Sequence, residues 1–210
     1  MNKGKFIVFE GIDGAGKTTQ IELLASRLSS LGESVHITAE PTTNESGKAL
    51  RRALSGKEKK TECEMAVMFV ADRIAHNIDA EEGIARHLSE GKDVICDRYY
   101  YSTLAYQGSV VDYGWVKRMN LDCPAIRKPD LCIFLDLSPE ESLRRISASR
   151  SGKEIYENVE TLTRVRASFH RVLDDLSLCE NIVRIDASAM PEEISWQIRT
   201  AVACLENGNN

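Results

Sequence analysis

No apolar run in the 210-residue sequence approaches membrane-spanning length, so no transmembrane helix is expected. Basic residues are in deficit. Twenty-seven Lys and Arg face 32 Asp and Glu, and a net charge of −5 is the wrong sign for a nucleic-acid-binding surface. An anionic ligand would therefore have to be held by a local site, not by a global field. The six cysteines (Cys63, Cys96, Cys123, Cys132, Cys179, Cys204) form no C-x-x-C pair and have no histidine at metal-ligand spacing, which speaks against a disulfide framework or a zinc site. Cys96 and Cys132 fall inside apolar runs, where a thiol behaves as a small hydrophobe. The four histidines are also unclustered, and there is no internal repeat or low-complexity stretch. Only five residues precede the first apolar run, too few for a signal peptide, and a cytoplasmic location is the expectation. With 42% hydrophobic and 28% charged residues, the chain has the composition of one ordinary globular domain, expected over residues 1–205.

What is present begins at Phe6. Phe6, Ile7, Val8 and Phe9 suit a buried parallel strand, and Gly11-Ile12-Asp13-Gly14-Ala15-Gly16-Lys17-Thr18 meets G-x-x-x-x-G-K-[ST] at every fixed position. In such a loop the glycines let backbone N–H groups converge on a phosphate, and the next helix adds its positive end. Lys17 reaches the β- and γ-phosphates, and the Thr18 hydroxyl can ligate Mg²⁺. Ile21, Leu23, Leu24, Leu28 and Leu31 then recur at helical spacing up to a stop at Gly32, so strand, loop and helix stand in the required order.

Residues 34–38 alternate as a second strand and end at Ala39-Glu40-Pro41-Thr42-Thr43, a loop at the end of the sheet where ligands bind; Glu40 is there either a site carboxylate or a solvated one. A short helical pattern over 47–54 carries Arg51 and Arg52. A stronger one over 61–76 places Met65, Met68, Phe69, Asp72 and His76 at helical spacing, with Thr61 as an N-cap for Glu64. Phe69 and Arg73, four apart, put a ring beside a guanidinium on one face, or else are a core residue and a surface residue. A helix over 79–90 is expected to close at Gly91, before a strand over 93–96 that ends in Asp97-Arg98-Tyr99. An Asp at that strand end is where phosphate-loop enzymes hold Mg²⁺, and Arg98 can bind phosphates or make a structural salt bridge. The ring-rich segment 100–108 suits recognition of a flat, polar base. Further helices are expected over 112–121, from Pro139, over 158–178 and over 191–205, with strands at 130–137 and 181–185 and a frayed tail at 206–210. The basic interruption from Ser149 to Lys153 reads as a mobile lid or an exposed turn. Five strands alternating with helices imply an α/β, three-layer domain with a parallel sheet.

The loop alone fits a GTP switch, a motor, a transport ATPase or a small-molecule kinase. An N-K-x-D guanine reader is missing, since the nearest match, Arg127 to Asp130, precedes a strand where it should follow one. An NTP-driven switch stays as an alternative, and it would hydrolyse nucleotide without an acceptor.

From Phe6 to about Ile198 the sequence closely resembles the thymidylate kinases. The marks are FEGIDGAGKTT at 9–19, E-P-T at 40–42, F-x-A-D-R at 69–73, D-R-Y at 97–99, S-T-x-A-Y-Q-G at 102–108, Y-E-N at 156–158 and D-A-S at 186–188. The resemblance implies a P-loop NTPase fold with a short lid at about 149–156 and transfer of phosphate from ATP to dTMP, giving dTDP for dTTP synthesis, with Mg²⁺ as cofactor and a homodimer as the assembly. It implies an ATP site made by Gly11 to Thr19 (Gly11, Ile12, Asp13, Gly14, Ala15, Gly16, Lys17, Thr18, Thr19), with Arg145 over adenine against the turn at Ala187. For dTMP it implies Phe69 stacked on thymine, Arg73 at the base and phosphate, Thr103 and Gln107 at the base edge, and Tyr106 against the sugar 2′ position. Asp13 matches the carboxylate for the 3′-hydroxyl, Glu40, Arg51 and Arg98 surround the acceptor phosphate, and Thr18 and Asp97 take the metal. Lys17, Arg98, Asp13 and Arg150 are the expected catalytic set. Arg150, with Lys153 second, is the lid cation needed because glycine occupies position 14, where some relatives carry arginine. The neighbours of the Glu-Pro pair, Ala39 and Thr42, are not the arginine of many relatives, so one acceptor-phosphate contact is either missing or supplied by Arg51. The lid also carries fewer basic residues than in many bacterial relatives.

Overall fold

A computed structural model describes residues 4–149, 156 and 158–207 of the chain. Five strands, β1 (Phe6–Glu10), β2 (Val35–Ala39), β3 (Asp93–Asp97), β4 (Leu131–Asp136) and β5 (Ile182–Asp186), form one parallel sheet in the order β2-β3-β1-β4-β5. Burial explains that order. β1, β3 and β4 are buried almost throughout and take the centre, where both faces are covered, whereas β2 and β5 are half-exposed and take the edges. The register sets Phe9 beside Asp97 and Asp97 beside Ala39, so β2 and β3 end level, β1 runs one residue further, and the three ends share one rim.

Helices α1 (Lys17–Ser30), α2 (Glu45–Leu54), α3 (Glu62–Ile78), α4 (Ile84–Ser89), α5 (Tyr100–Tyr106), α6 (Tyr113–Leu121), α7 (Pro139–Ser149), α8 (Val159–Leu176) and α9 (Pro191–Asn207) cover the sheet. α1 packs with α9, and α5 with α8. α3 starts on a complete capping box: Thr61 Oγ1 accepts from Glu64 N at 3.2 Å, and Thr61 N donates to the Glu64 carboxylate at 2.7 Å. No helix among the described residues is long and apolar enough to cross a membrane.

Four expectations need correction. The helix expected over 79–90 starts only at Ile84, because Asp79 Oδ1 accepts from the N–H groups of Glu81 and Glu82, both at 2.8 Å, and that local turn outcompetes helical bonding. α9 continues through Asn207, so 206 and 207 are helical and not frayed, while 208–210 lie outside the described residues. Within the ring-rich segment, Tyr100 and Tyr101 do not form a base-reading surface: both are fully buried, and their hydroxyls converge on Glu180 Oε2. Finally, two of the scattered histidines meet, with the rings of His36 and His87 stacked at 3.7 Å. The lid residues Arg150 and Lys153 lie outside the described residues.

Candidate active site

The phosphate loop joins β1 to α1. Its glycines carry backbone that side chains resist: Gly11 has φ 143 and Gly14 has φ 74. A Cβ at Gly11 would sit 2.5 Å from the Leu135 carbonyl oxygen, and one at Gly14 would sit 2.9 Å from that of Ser142. Gly16 precedes α1 without a side-chain cap, which leaves the first N–H groups of the helix open towards the cleft. Ile12 and Ala15 are buried beneath the loop, whereas Thr18 and Thr19 are exposed at the helix start. Lys17 Nζ donates to the carbonyls of Gly11 at 3.2 Å and Ile12 at 3.4 Å, and burial lowers its pKa from the ordinary lysine value.

Helix α7 closes one side of the loop. Ser142 Oγ donates to the Asp13 carbonyl at 2.6 Å, and Arg145 donates to the Gly14 carbonyl at 3.4 Å and the Ala187 carbonyl at 3.1 Å. Arg145 thus bridges the loop to the turn after β5.

On the other side stands Arg98, the only non-glycine residue with positive φ (67) among the described residues. It donates to Asp13 Oδ1 at 2.7 Å, to the Gly11 carbonyl at 3.1 Å and to Ser102 Oγ at 3.0 Å. Burial opposes its charge, but Asp13, Tyr106 and Asp97 outweigh that and raise its pKa. Beneath it Glu10, fully buried, accepts from Tyr99 N at 2.8 Å, Ser102 N at 3.1 Å and Ser102 Oγ at 2.6 Å. Desolvation raises the Glu10 pKa, and its carboxyl group fixes the turn that presents Arg98.

Two cavities meet at this arginine. One, of about 480 Å³, is lined by loop residues with Lys17, Thr18, Asp97 and Arg145; the other, of about 520 Å³, by Phe69, Arg73, Thr103, Tyr106, Gln107 and Tyr156 among others. Asp13, Glu40, Pro41, Arg51 and Arg98 belong to both. At the first, Asp97 Oδ1 is buried without a hydrogen-bond partner among the described residues. At the second, Arg73 is fully buried and donates to Glu40 (Nε at 2.8 Å, with its terminal nitrogen at 2.6 Å), to Thr103 Oγ1 at 3.2 Å and to Asn120 Oδ1. Glu40 also meets His76 Nδ1 at 3.1 Å. Both Glu40 oxygens are thus engaged inside the protein, and its part is to hold Arg73. Removing either member of such a pair strands a buried charge at about 3–5 kcal/mol.

Gln107 donates to Glu62 Oε2 at 3.1 Å and to the Tyr156 hydroxyl at 3.0 Å, leaving its own Oε1 buried without a partner among the described residues. The half-buried Phe69 lines the same cavity, and Arg51 donates to the Pro41 and Thr42 carbonyls.

A profile described as "Thymidylate kinase" matches residues 9–198. The chain belongs to the thymidylate kinase family. It is 43% identical over 179 residues to a probable thymidylate kinase of Pyrococcus horikoshii, covering 82% of this chain and 84% of that one. Identity is 40% over 172 residues to a probable thymidylate kinase of Methanococcus aeolicus (81% and 80% covered) and 38% over 188 residues to a thymidylate kinase of Desulfotalea psychrophila (86% and 90%). As a member of the thymidylate kinase family the chain is a kinase, and its parallel α/β fold is that of P-loop NTPases.

Sequence reasoning passed over residues that position this kinase site. Glu10 had a visible signal, a carboxylate closing an otherwise apolar strand. Asp72, beside Arg73, accepts from Thr42 N at 2.8 Å and Oγ1 at 2.6 Å and so fixes the loop after β2. Asn120 and Glu62 carry no local signal, because their partners Arg73 and Gln107 come from other helices.

Proposed function

We propose that the chain phosphorylates dTMP to dTDP with ATP as donor, the two nucleotides entering the two cavities and meeting at Asp13 and Arg98. The observation that carries this reading is the shared wall, which puts a cationic fork within reach of both phosphate ends. The acceptor is already a phosphate monoester and needs no strong base. The residues must bring two anions into line and neutralise charge on the transferring group. Lys17 and the loop N–H groups hold the donor phosphates, with Arg145 and Ala187 against adenine. Arg98 and Arg51 meet the acceptor phosphate, and Asp13 takes the sugar 3′-hydroxyl. Arg150 is the proposed lid cation. The oxygen donors Asp97 and Thr18 suit Mg²⁺, since one Asp97 oxygen is buried without a protein partner and both residues line the phosphate cavity. Mg²⁺ held there would offset the charge of the nucleotide phosphates. The family reading also carries a single kinase domain over 1–205, a homodimer, a cytoplasmic location and a place in dTTP supply. A coupled ADP-release assay over a panel of nucleoside monophosphates tests the function: dTMP-dependent release supports it, and acceptor-independent hydrolysis would favour an NTP-driven switch.

Phe69 stacks on thymine, and the unpartnered Gln107 oxygen accepts the base N–H. Phe69→Ala then raises KM for dTMP roughly 5- to 150-fold, the equivalent of about 1–3 kcal/mol of stacking, with KM for ATP nearly unchanged. Equal effects on both substrates would make Phe69 a packing residue.

Tyr106 is 8% exposed, and its ring lies 5.7 Å from the Arg98 guanidinium carbon. Placed against the sugar 2′ position, its ring edge leaves no room for a hydroxyl. The kcat/KM for dTMP is expected to exceed that for the ribose counterpart by at least about tenfold, a loss of some 1.4 kcal/mol; comparable values for the two sugars would refute this role.

A further inference from the structure

We propose that His36, Glu82 and His87 form a binding site for a divalent transition-metal ion of the zinc, cobalt or nickel type, separate from the phosphate loop. The three come from different places in the chain: His36 from β2, Glu82 from the turn fixed by Asp79, and His87 from α4. One ligand atom from each lies within 4.8 Å of the others. A tetrahedral site with bonds of about 2.0–2.1 Å spaces its ligand atoms about 3.4 Å apart, so the set closes by rotamer adjustment, and Glu82, with a side chain 78% exposed, is free to move.

The second observation is at His87. This ring is 6% exposed, and its Nε2 is buried without a hydrogen bond. Glu82 Oε2 stands 3.5 Å away, near enough for ionic attraction but outside hydrogen-bond geometry. A buried ring nitrogen facing a carboxylate is poorly served by the protein alone, and rotation of the half-buried His36 ring off its stack on His87 would bring a second ring nitrogen to a cation bound there. The other nitrogen, Nδ1, has Lys92 Nζ at 3.3 Å and Glu90 Oε2 at 3.9 Å. Metal binding at Nε2 puts the ring proton on Nδ1, so Lys92 Nζ must turn away from that nitrogen, and Glu90, which Lys92 holds at 2.9 Å, takes the N–H only after its side chain moves closer. Burial holds the His36 pKa below its ordinary value, which keeps that ring in its ligating form.

Two imidazoles and one carboxylate suit zinc, cobalt or nickel and disfavour magnesium, whose preferred ligands are oxygens. The site is therefore chemically distinct from Asp97 and Thr18, although His36, Glu82, Thr18 and Asp97 all line one cavity of about 620 Å³. With three protein ligands it keeps an open coordination position.

The test is a Co²⁺ titration of the chelator-stripped, full-length chain, followed by visible ligand-field absorption. One equivalent is expected to bind, to be displaced by Zn²⁺ and to resist millimolar Mg²⁺. His36→Ala and Glu82→Gln are each expected to weaken binding tenfold or more; both positions are partly or largely exposed, so these variants avoid the risk that His87→Ala fails to fold. Asp97→Asn is expected to leave the Co²⁺ spectrum unchanged. Absence of binding, binding that survives both His36→Ala and Glu82→Gln, loss of binding in Asp97→Asn, or the near-ultraviolet charge-transfer band of cobalt on an exposed cysteine would each overturn the proposal.

Discussion

Lys17→Ala is expected to abolish measurable phosphoryl transfer while leaving the chain folded. The side chain is 7% exposed, and its polar contacts are the Gly11 and Ile12 carbonyls of its own loop. Burial already works against its charge, so alanine removes a desolvated cation and breaks no ion pair with a carboxylate; little stability is lost. On the proposed reading, however, the transferring phosphoryl group loses the cation of the phosphate loop. A single preorganised electrostatic donor is worth about 10²–10³ in kcat, and a full cation on a phosphoryl oxygen reaches about 10³–10⁵. The fall in kcat/KM is therefore expected to be at least about 10³-fold in the coupled ADP assay, with the melting temperature as the control for folding. A folded variant that kept most of its activity would refute the phosphate-loop assignment.

Arg98→Gly should be nearly as damaging, and glycine is the informative choice. At φ 67 an arginine carries backbone strain of roughly 1–3 kcal/mol, which glycine avoids. The substitution removes the fork that joins Asp13, the Gly11 carbonyl and Ser102, yet returns conformational energy to the turn. Stability and catalysis are thus expected to separate: kcat drops by about 10²–10³ while the melting temperature changes little. Retention of more than a tenth of the kcat would reduce Arg98 to a structural salt bridge, and a large fall in melting temperature would show that the strain was offset by contacts essential to the fold.

The parts of this molecule legible in its sequence are those whose signals are local. The phosphate loop, the apolar central strands and the Thr61 capping box each depend on residues within a few positions of one another, and each stands as expected. The turn at Asp79 was also local, but a side-chain bond to the backbone overrode a helical pattern. The tyrosine run illustrates the opposite limit. Nothing in Tyr100-Tyr101 tells which rings meet a ligand, because α8 and Glu180, about 80 residues further on, decide that they are core. Among the cleft residues, Phe69 and Tyr106 were named by the family resemblance, since helical spacing alone left Phe69 as either a site residue or a core residue. Glu40 was readable as a site residue, but not as one already paired with Arg73 and His76. The His36–His87 stack depends on β2 meeting α4 and leaves no trace in the spacing of the histidines.

The contact between Gly14 and helix α7 limits how this sequence can change. An arginine at position 14, as some relatives have, would need a Cβ 2.9 Å from the Ser142 carbonyl oxygen and 3.5 Å from the Arg145 Cβ, on backbone with φ 74. No rotamer relieves that, since the obstacle is main chain. α7 would have to retreat, and with it would go Arg145 and the Ser142 hydroxyl that ties down Asp13. A single substitution at position 14 that carried this chain from one arrangement of catalytic charge to the other would therefore have to be accompanied by a shift of α7. Any lineage that crossed must have altered loop and helix together, and position 14 and the 142–145 turn should be inherited as a linked pair.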